Sequence, residues 1–242
     1  MNKVTQFSTM GALVGGRFEG AFPIKNIIES GDHGIGTLEG LNGELIILEG
    51  KPYVIESTGL VREVSEDEMS PYASVMDFQP TKTFNLKGSY NKSQLDEIMT
   101  KEINGENHFH GAKITGKFKV INARSAKKQQ QPYPKLVDAV KEQGYFDFES
   151  TEGTLFGFYT PHFIQGIGVG GYHVHFLSHD LKKGGHVFDY EIEDVKVELA
   201  LQQDFLMKMP NTEEYFSTDL NDPEMLQDIE AVSYTHLRAH ET

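Results

Sequence analysis

The residues best suited to chemistry are three histidines in the last third of the chain. His173 and His175 are separated by one residue, and His186 follows after a short polar stretch. In a β-strand, residues i and i+2 point to the same face, so the first two imidazoles project together. If the intervening segment forms a hairpin centred near residues 180–181, His175 lies opposite His186 on that same face. The spacing therefore predicts three imidazoles that converge on one point.

Three histidine nitrogens with an open coordination side are typical of a catalytic Zn²⁺ site. The chain contains no Cys, which excludes thiolate metal sites, thiolate nucleophiles and disulfides. The alternative is that these are ordinary strand histidines with hydrogen-bond partners in the fold. Two histidines on one strand with a third opposite favour the metal site over that alternative.

The remaining histidines outside the C-terminal tail carry weaker signals. His108 and His110 also alternate, but no third histidine follows nearby, so we interpret them as surface or dimer-contact residues. His33 lies in a glycine-rich turn, and His162 is a candidate structural residue. His179 falls in the predicted hairpin turn, where we expect it to be exposed to solvent.

Composition and charge exclude several classes of function. The 242-residue chain has a formal net charge of −14, which disfavours nucleic acid as a partner. An anionic substrate would then need a local positive feature, either a metal ion or an arginine. The spacing of Gly34, Gly36 and Gly40 does not match a dinucleotide-binding motif. We find neither a signal peptide nor an apolar run of the roughly 18 residues that span a membrane, and we expect a cytoplasmic protein.

The elements that must position the histidines are mostly strands. Strands are predicted over 37–41, 44–48, 52–55, 72–86 (a pair broken at Pro80), 109–124, 154–164, 167–177, 186–192 and 195–201. Asn42 and Gly43 predict a two-residue hairpin turn. Helices are predicted over 23–29, 93–103 with Ser93 as the N-cap, and 135–142.

This pattern favours a β-rich α+β fold with two mixed or antiparallel β lobes, a few short helices and a zinc site on a hairpin of the C-terminal lobe. We expect one domain over residues 1–232, with an N-terminal lobe to about residue 125 and a C-terminal lobe over about 126–232. Residues 233–242 resemble a translated vector read-through, so we leave them out of the fold prediction.

Several ordered motifs, spread over the chain up to about Val232, resemble those of α-acetolactate decarboxylases. The matching segments are 31–37, 41–45, 114–118, 124–125, 131–133, 153–158, 171–176 and 184–187. None is decisive alone, but their number and order make the resemblance specific. It covers nearly the whole chain.

The resemblance implies conversion of (S)-2-acetolactate, a small 2-hydroxy-3-keto acid, to (R)-acetoin and CO₂ by a homodimeric Zn²⁺ enzyme. It implies that the three hairpin histidines are the zinc ligands. It places Arg124 beside the substrate carboxylate, Glu44 at the reacting centre as a catalytic acid or base, and Thr37 in the substrate pocket. Without the resemblance, Arg124 would be interpreted as a surface charge or salt bridge and Glu44 as an exposed strand residue.

Loss of CO₂ would leave an enediolate, and a chelated Zn²⁺ is a Lewis acid that can stabilise it. The family also ends in a short acidic tail whose final Glu returns to the metal. Here Ser233 stands at that position, and Glu230 is a weak substitute because of its offset.

Two other functions remain open at this point. A cupin-like metal-dependent oxygenase also uses alternating strand histidines, but a Glu should follow them within a few residues, and none is found before His179. A non-enzymatic metal-binding module should have a closed four-ligand site, whereas the hairpin offers three ligands.

Overall fold

The computed structural model describes residues 2–220 and contains two main β-sheets. The strands are β1 Lys3–Phe7, β2 Phe22–Pro23, β3 His33–Thr37, β4 Glu44–Leu48, β5 Lys51–Ile55, β6 Val61–Glu63, β7 Met69–Ser70, β8 Tyr72–Met76, β9 Lys82–Asn91, β10 His110–Ala126, β11 Gln143–Thr160, β12 Gly171–Ser178, β13 Gly184–Leu201 and β14 Asp204–Lys208. The helices are α1 Met10–Val14, α2 Ile24–Ile28, α3 Lys92–Ile103, α4 Leu136–Ala139 and α5 Glu213–Phe216, with a 3₁₀ turn at His162–Ile164. The predicted β-rich α+β fold is confirmed.

The first sheet has seven strands in the order β14-β1-β8-β3-β4-β5-β6. Its central strands are covered on both faces. In β4, for example, successive side chains point alternately to the two faces. Leu45 and Ile47 pack with α2, whereas Ile46 packs against the second sheet beside Phe156. Because side chains alternate along a strand, Glu44 shares the face of Ile46. The sequence of β4 therefore directs its first residue toward the second sheet.

The second sheet curls on itself. Strands β10, β11, β12 and β13 pair in order, β13 also pairs with β10, and β9 adds to the far edge of β13. The interior holds fully buried side chains such as Phe118 and Phe176. Helix α3 covers this core with Leu95 and Met99, which lie one helical turn apart. Both strands of the β12–β13 hairpin contribute residues to this packed core.

The two sheets divide the chain near residue 80, not near residue 125 as the sequence suggested. Strands β9 and β10, which precede residue 126, already belong to the second sheet. Strand β14 returns to the first sheet and pairs in parallel with β1. The expected boundary lay at a polar stretch that is only a connection between β10 and α4. Pairing between distant strands left no signal in the local composition.

The predicted two-residue turn at Asn42 and Gly43 is wrong, although β3 and β4 do pair as an antiparallel hairpin. Strand β3 ends at Thr37, and residues 38–43 form a loop before β4. The loop docks into the protein because Leu38 and Leu41 are buried, and because the amide of Gly40 donates to the Phe18 carbonyl at 2.8 Å. Burial of leucines thus overrides the local turn signal.

Other boundaries shift for local reasons. Helix α3 is capped by Asn91, not Ser93, because Asn91 forms a reciprocal capping box with Gln94. Helix α4 is shorter than the predicted 135–142. The strands predicted over 186–192 and 195–201 are one strand, β13, with a register shift between Ile192 and Asp194 in its pairing to β9. A bulge of this kind bends a strand without ending it.

Strand β11 begins well before the predicted residue 154 and ends at Thr160. The segment that follows is a loop over residues 161–170 and includes the 3₁₀ turn, so strand β12 begins only at Gly171. Among residues 2–220, no helix has both the length and the apolar character needed to cross a membrane.

The core of the second sheet predicts a stability effect at Phe118. This side chain is fully buried and packs edge-on against Phe176. We expect Phe118→Ala to lower the free energy of unfolding by about 3–5 kcal/mol, since it removes a large side chain and leaves a cavity. The matched control is Phe216→Ala, because Phe216 is 71% exposed. Denaturant titration followed by circular dichroism measures both, and equal losses in the two variants would contradict this packing.

Candidate metal centre and substrate cavity

Three imidazoles meet on the hairpin of β12 and β13. His175 pairs with His186 in the strand register, as the spacing predicted, and His173 lies on the same face. One ring nitrogen from each histidine lies within 4.8 Å of those of the other two. The Nε2 of His173 and the Nδ1 of His186 are 3.0 Å apart. The strand geometry thus brings together all three predicted ligands.

The imidazole of His175 is fixed by the first sheet. Its Nδ1 donates a hydrogen bond to the backbone carbonyl of Leu45 at 2.8 Å, and the residue is 1% exposed. A carbonyl only accepts, so Nδ1 carries the proton and Nε2 keeps its lone pair. That Nε2 is buried and makes no hydrogen bond within the described residues. Metal-binding histidines in general are oriented by this kind of bond from the other ring nitrogen.

Burial keeps His173 and His175 neutral. Desolvation lowers the pKa of His173 to about 4, and the nearby charge of Arg124 acts in the same direction. The pKa of His175 is held well below its ordinary value, mainly by burial and then by the neighbouring His173. Neutral imidazole is the form that binds a metal. An unpartnered buried nitrogen within a group of three nitrogen donors fits a divalent ion such as zinc.

Glu44 borders this group from the first sheet. Its Oε2 lies 3.4 Å from the Nε2 of His175, and its Oε1 accepts a hydrogen bond from the backbone amide of Ala126 at 3.3 Å. Burial raises the pKa of Glu44 to about 7, although the charge of Arg124 and the Ala126 amide both lower it. The sequence pattern alone predicted an exposed Glu44. That prediction is wrong, because the carboxyl is largely buried.

Arg124 lies near the end of β10, directly opposite His186 in the strand register. It is 7% exposed, so it is not a surface charge. Burial lowers its pKa, and the negative charge of Glu44 acts against that shift. Next to it, the hydroxyl of Ser125 donates to the Ile55 carbonyl at 2.6 Å, which ties β10 to β5. Arg124 is thus presented at the junction of the two sheets.

Thr37 is also buried at this junction. It pairs with Glu44 in the register of β3 and β4, and its hydroxyl donates to the Gly43 carbonyl at 2.7 Å. Its proton is therefore used within the loop that leads to Glu44. The hydroxyl oxygen retains accepting capacity.

These groups share a cavity of about 960 Å³. The three histidines, Glu44, Arg124 and Thr37 all line it. So does a set of apolar residues that the sequence did not single out: Met10, Leu13, Val14, Leu41, Tyr72, Leu136, Val140 and Val169. Their local sequence is that of ordinary core residues, and no sequence pattern connected them with the histidines. A large pocket with a few convergent polar groups is the usual form of a small-molecule site.

Of the other described histidines, His162 is exposed and lines the same cavity, whereas the rest are not among the residues that line it. His110 is fully buried, with its Nε2 2.8 Å from the Tyr172 hydroxyl and its ring stacked on Tyr159, so the surface prediction is wrong for it. His33 is also buried, within β3, where its Nδ1 lies 2.8 Å from Asp32. His179 is exposed, as predicted.

The expectations for Glu230, Ser233 and residues 233–242 fall outside the described residues, so the structure does not bear on them.

Comparisons with known proteins agree with one another. The family model described as alpha-acetolactate decarboxylase matches residues 4–222. The alpha-acetolactate decarboxylase of Methanosarcina mazei is 38% identical over 94% of this chain and 78% of its own length. That of Bacillus licheniformis is 38% identical over 96% of this chain and 91% of its own.

A solved structure gives the same result. The crystal structure of alpha-acetolactate decarboxylase from Bacillus subtilis strain 168 superposes with a TM-score of 0.93 at 35% identity. The match covers 96% of this chain and 99% of that one. The sequence match and the shared fold extend over nearly all of the described residues. This chain therefore belongs to the alpha-acetolactate decarboxylase family.

Proposed function

We propose that the protein converts (S)-2-acetolactate to (R)-acetoin and CO₂, using Zn²⁺ bound by His173, His175 and His186. The observation that carries the proposal is the meeting of these three imidazoles with Glu44 and Arg124 in one cavity. Membership of the family supports the choice of substrate. A cytoplasmic homodimer with one domain over residues 1–232 completes the proposal. The homodimer rests on the resemblance, and the location and the single domain rest on the sequence pattern.

The reaction makes three demands on the site. The bond between the carboxylate carbon and the hydroxyl-bearing carbon must break, with release of CO₂. The electron pair left behind must move into the adjacent carbonyl, which gives an enediolate. The carbon that lost the carboxylate must then receive a proton on one face to give acetoin. A divalent cation bound by the imidazoles supplies a Lewis acid for the oxygens that carry the developing charge.

Arg124 meets the first demand by binding the carboxylate. Its planar guanidinium carries donors that match the two carboxylate oxygens. Its position opposite His186 would hold the carboxylate next to the metal ligands. This orients the bond that breaks and supplies positive charge in a chain of net charge −14.

Glu44 meets the third demand by holding and delivering the proton. Its carboxyl is largely buried, lies 3.4 Å from the Nε2 of His175 and accepts a hydrogen bond from the Ala126 amide. A carboxyl fixed in this way can transfer a proton to one face of the enediolate only, which would set the configuration of the product. Thr37 keeps the loop before Glu44 in place and lines the same cavity.

His175 provides the test of the metal. We expect His175→Ala to lose both bound metal and acetoin formation, because it removes the imidazole that the first sheet orients. Elemental analysis of the purified protein and a colorimetric acetoin assay measure the two. His179→Ala is the matched control, since His179 is exposed on the same hairpin and should keep both. Full acetoin formation by metal-free protein would sink the metal proposal, and oxygen consumption would favour an oxygenase.

Arg124 gives a test of carboxylate binding. We expect Arg124→Lys to lower kcat/KM for acetolactate by roughly 10- to 100-fold, since a charged hydrogen bond contributes about 1.5–3 kcal/mol. Metal content should stay unchanged. Affinity for a carboxylate-free analogue such as 2,3-butanediol, measured by inhibition, should also hold. An equal loss for acid and diol would remove the assigned role.

Glu44 gives a test of proton delivery. We expect Glu44→Gln to lower kcat by roughly 10²- to 10⁴-fold, the usual contribution of general acid–base catalysis, with metal content retained. The control is Glu49→Gln, because the Glu49 side chain is 80% exposed. The enantiomeric composition of any residual acetoin should also become less pure. Normal kcat in Glu44→Gln would exclude Glu44 as the proton donor.

A further inference from the structure

The cavity has an aliphatic side that the proposed chemistry does not use. We call it the alkyl wall and define it as Met10, Leu13 and Val14 of α1 together with Leu41 and Leu136. All five residues line the cavity, belong to one packed cluster and are at most 6% exposed. Purely apolar surface beside a polar reaction centre binds the hydrocarbon part of a ligand.

Helix α1 presents its part of the wall from a fixed position. Residues 10, 13 and 14 have the spacing of one helical face. Thr9 caps the helix, with its side chain accepting from the Ala12 amide at 3.1 Å. The amide of Met10 donates to the Ile167 carbonyl at 2.9 Å, in the loop that follows β11. A wall anchored at this end cannot easily move away from a larger ligand.

Leu41 presents its part from the loop that leads to Glu44. Its φ of 57° lies in the left-handed region, which is uncommon for a residue other than glycine. The loop is held there by the bond from the Gly40 amide to the Phe18 carbonyl. The surroundings thus impose this conformation, and it buries the leucine side chain at 4% exposure. Leu41 and Glu44, three positions apart, line the same cavity.

The substrate has groups that the polar side of the site leaves unassigned. In the proposed function its carboxylate binds Arg124, and its hydroxyl and carbonyl oxygens lie toward the three histidines. What remains is hydrocarbon: the alkyl substituent on the hydroxyl-bearing carbon and the methyl of the acetyl group. A cavity of about 960 Å³ has room for substituents larger than methyl.

We propose that the alkyl wall binds the alkyl substituent on the carboxylate-bearing carbon, and that Leu13 and Leu41 set the longest substituent accepted. This inference rests on the proposed function. It names the side chains that decide which 2-alkyl-2-hydroxy-3-keto acids the site accepts. A hydrophobic pocket discriminates by roughly 10- to 200-fold for one methylene group, so the effect is measurable.

The experiment compares substrates that carry methyl or propyl on this carbon, using the metal-loaded full chain. The measured quantity is the ratio of kcat/KM for propyl to that for methyl. We expect Leu13→Ala and Leu41→Ala each to raise the ratio about tenfold, because each removes bulk from the wall. Leu13→Phe should lower it. If an alanine variant does not fold, Leu13→Val and Leu41→Gly provide the same test, since glycine adopts the left-handed φ of residue 41 without strain.

The matched control is Phe18→Leu. Phe18 is fully buried in the same cluster but is not among the described residues that line the cavity. The propyl-to-methyl ratio of kcat/KM in Phe18→Leu should equal that of the parent protein. A ratio that does not move in the Leu13 and Leu41 variants, or that moves as much in Phe18→Leu, overturns the assignment. A parent that makes no acetoin from the methyl substrate would instead contradict the proposed function itself.

Discussion

The site depends on one hydrogen bond between the two sheets, from the Nδ1 of His175 to the carbonyl of Leu45. The bond is 2.8 Å long, and both residues are essentially inaccessible to solvent. A neutral imidazole has a single donor, and this bond uses it, so the lone pair is fixed at Nε2. The same contact brings Glu44, the residue before Leu45, to 3.4 Å from that Nε2. The first sheet therefore determines which nitrogen of the second sheet can bind a metal, and it supplies the neighbouring carboxyl.

The end of β10, in the second sheet, in turn holds residues of the first sheet in place. The hydroxyl of Ser125 donates to the Ile55 carbonyl, and the amide of Ala126 donates to Glu44. Arg124, just before them, exerts its charge on Glu44. Loss of a partner at such a buried contact costs about 1–3 kcal/mol, because a polar group is left without a hydrogen bond. Neither sheet alone contains the site, so the geometry of the reaction centre depends on how the two sheets pack.

The sequence was informative where the structure depends on the alternation of side chains along neighbouring strand residues. The alternation of His173 and His175 and the pairing of His175 with His186 depend on strand geometry over a few residues, and they were predicted correctly. The burial of Glu44 and Arg124 was not, because it depends on contacts between residues about 80 positions apart. The apolar residues of α1 gave no functional signal, since a helix that lines a cavity has the same composition as one that fills a core. The loop at residues 38–43 misled the turn prediction for a related reason, since its leucines are held by tertiary packing.

Electrostatics connects these features to the substrate. The chain is strongly acidic, yet the groups that meet at the histidine end of its cavity are three imidazoles, the carboxyl of Glu44 and the guanidinium of Arg124. Desolvation keeps His173 and His175 neutral, and Glu44 and Arg124 offset one another. A divalent cation bound by neutral ligands retains its charge, whereas carboxylate ligands would reduce it. An anionic substrate would then meet positive charge at the histidine end of the cavity, from the cation and from Arg124, inside a negatively charged protein. The neutrality of the ligands is therefore as important to the proposed reaction as their position.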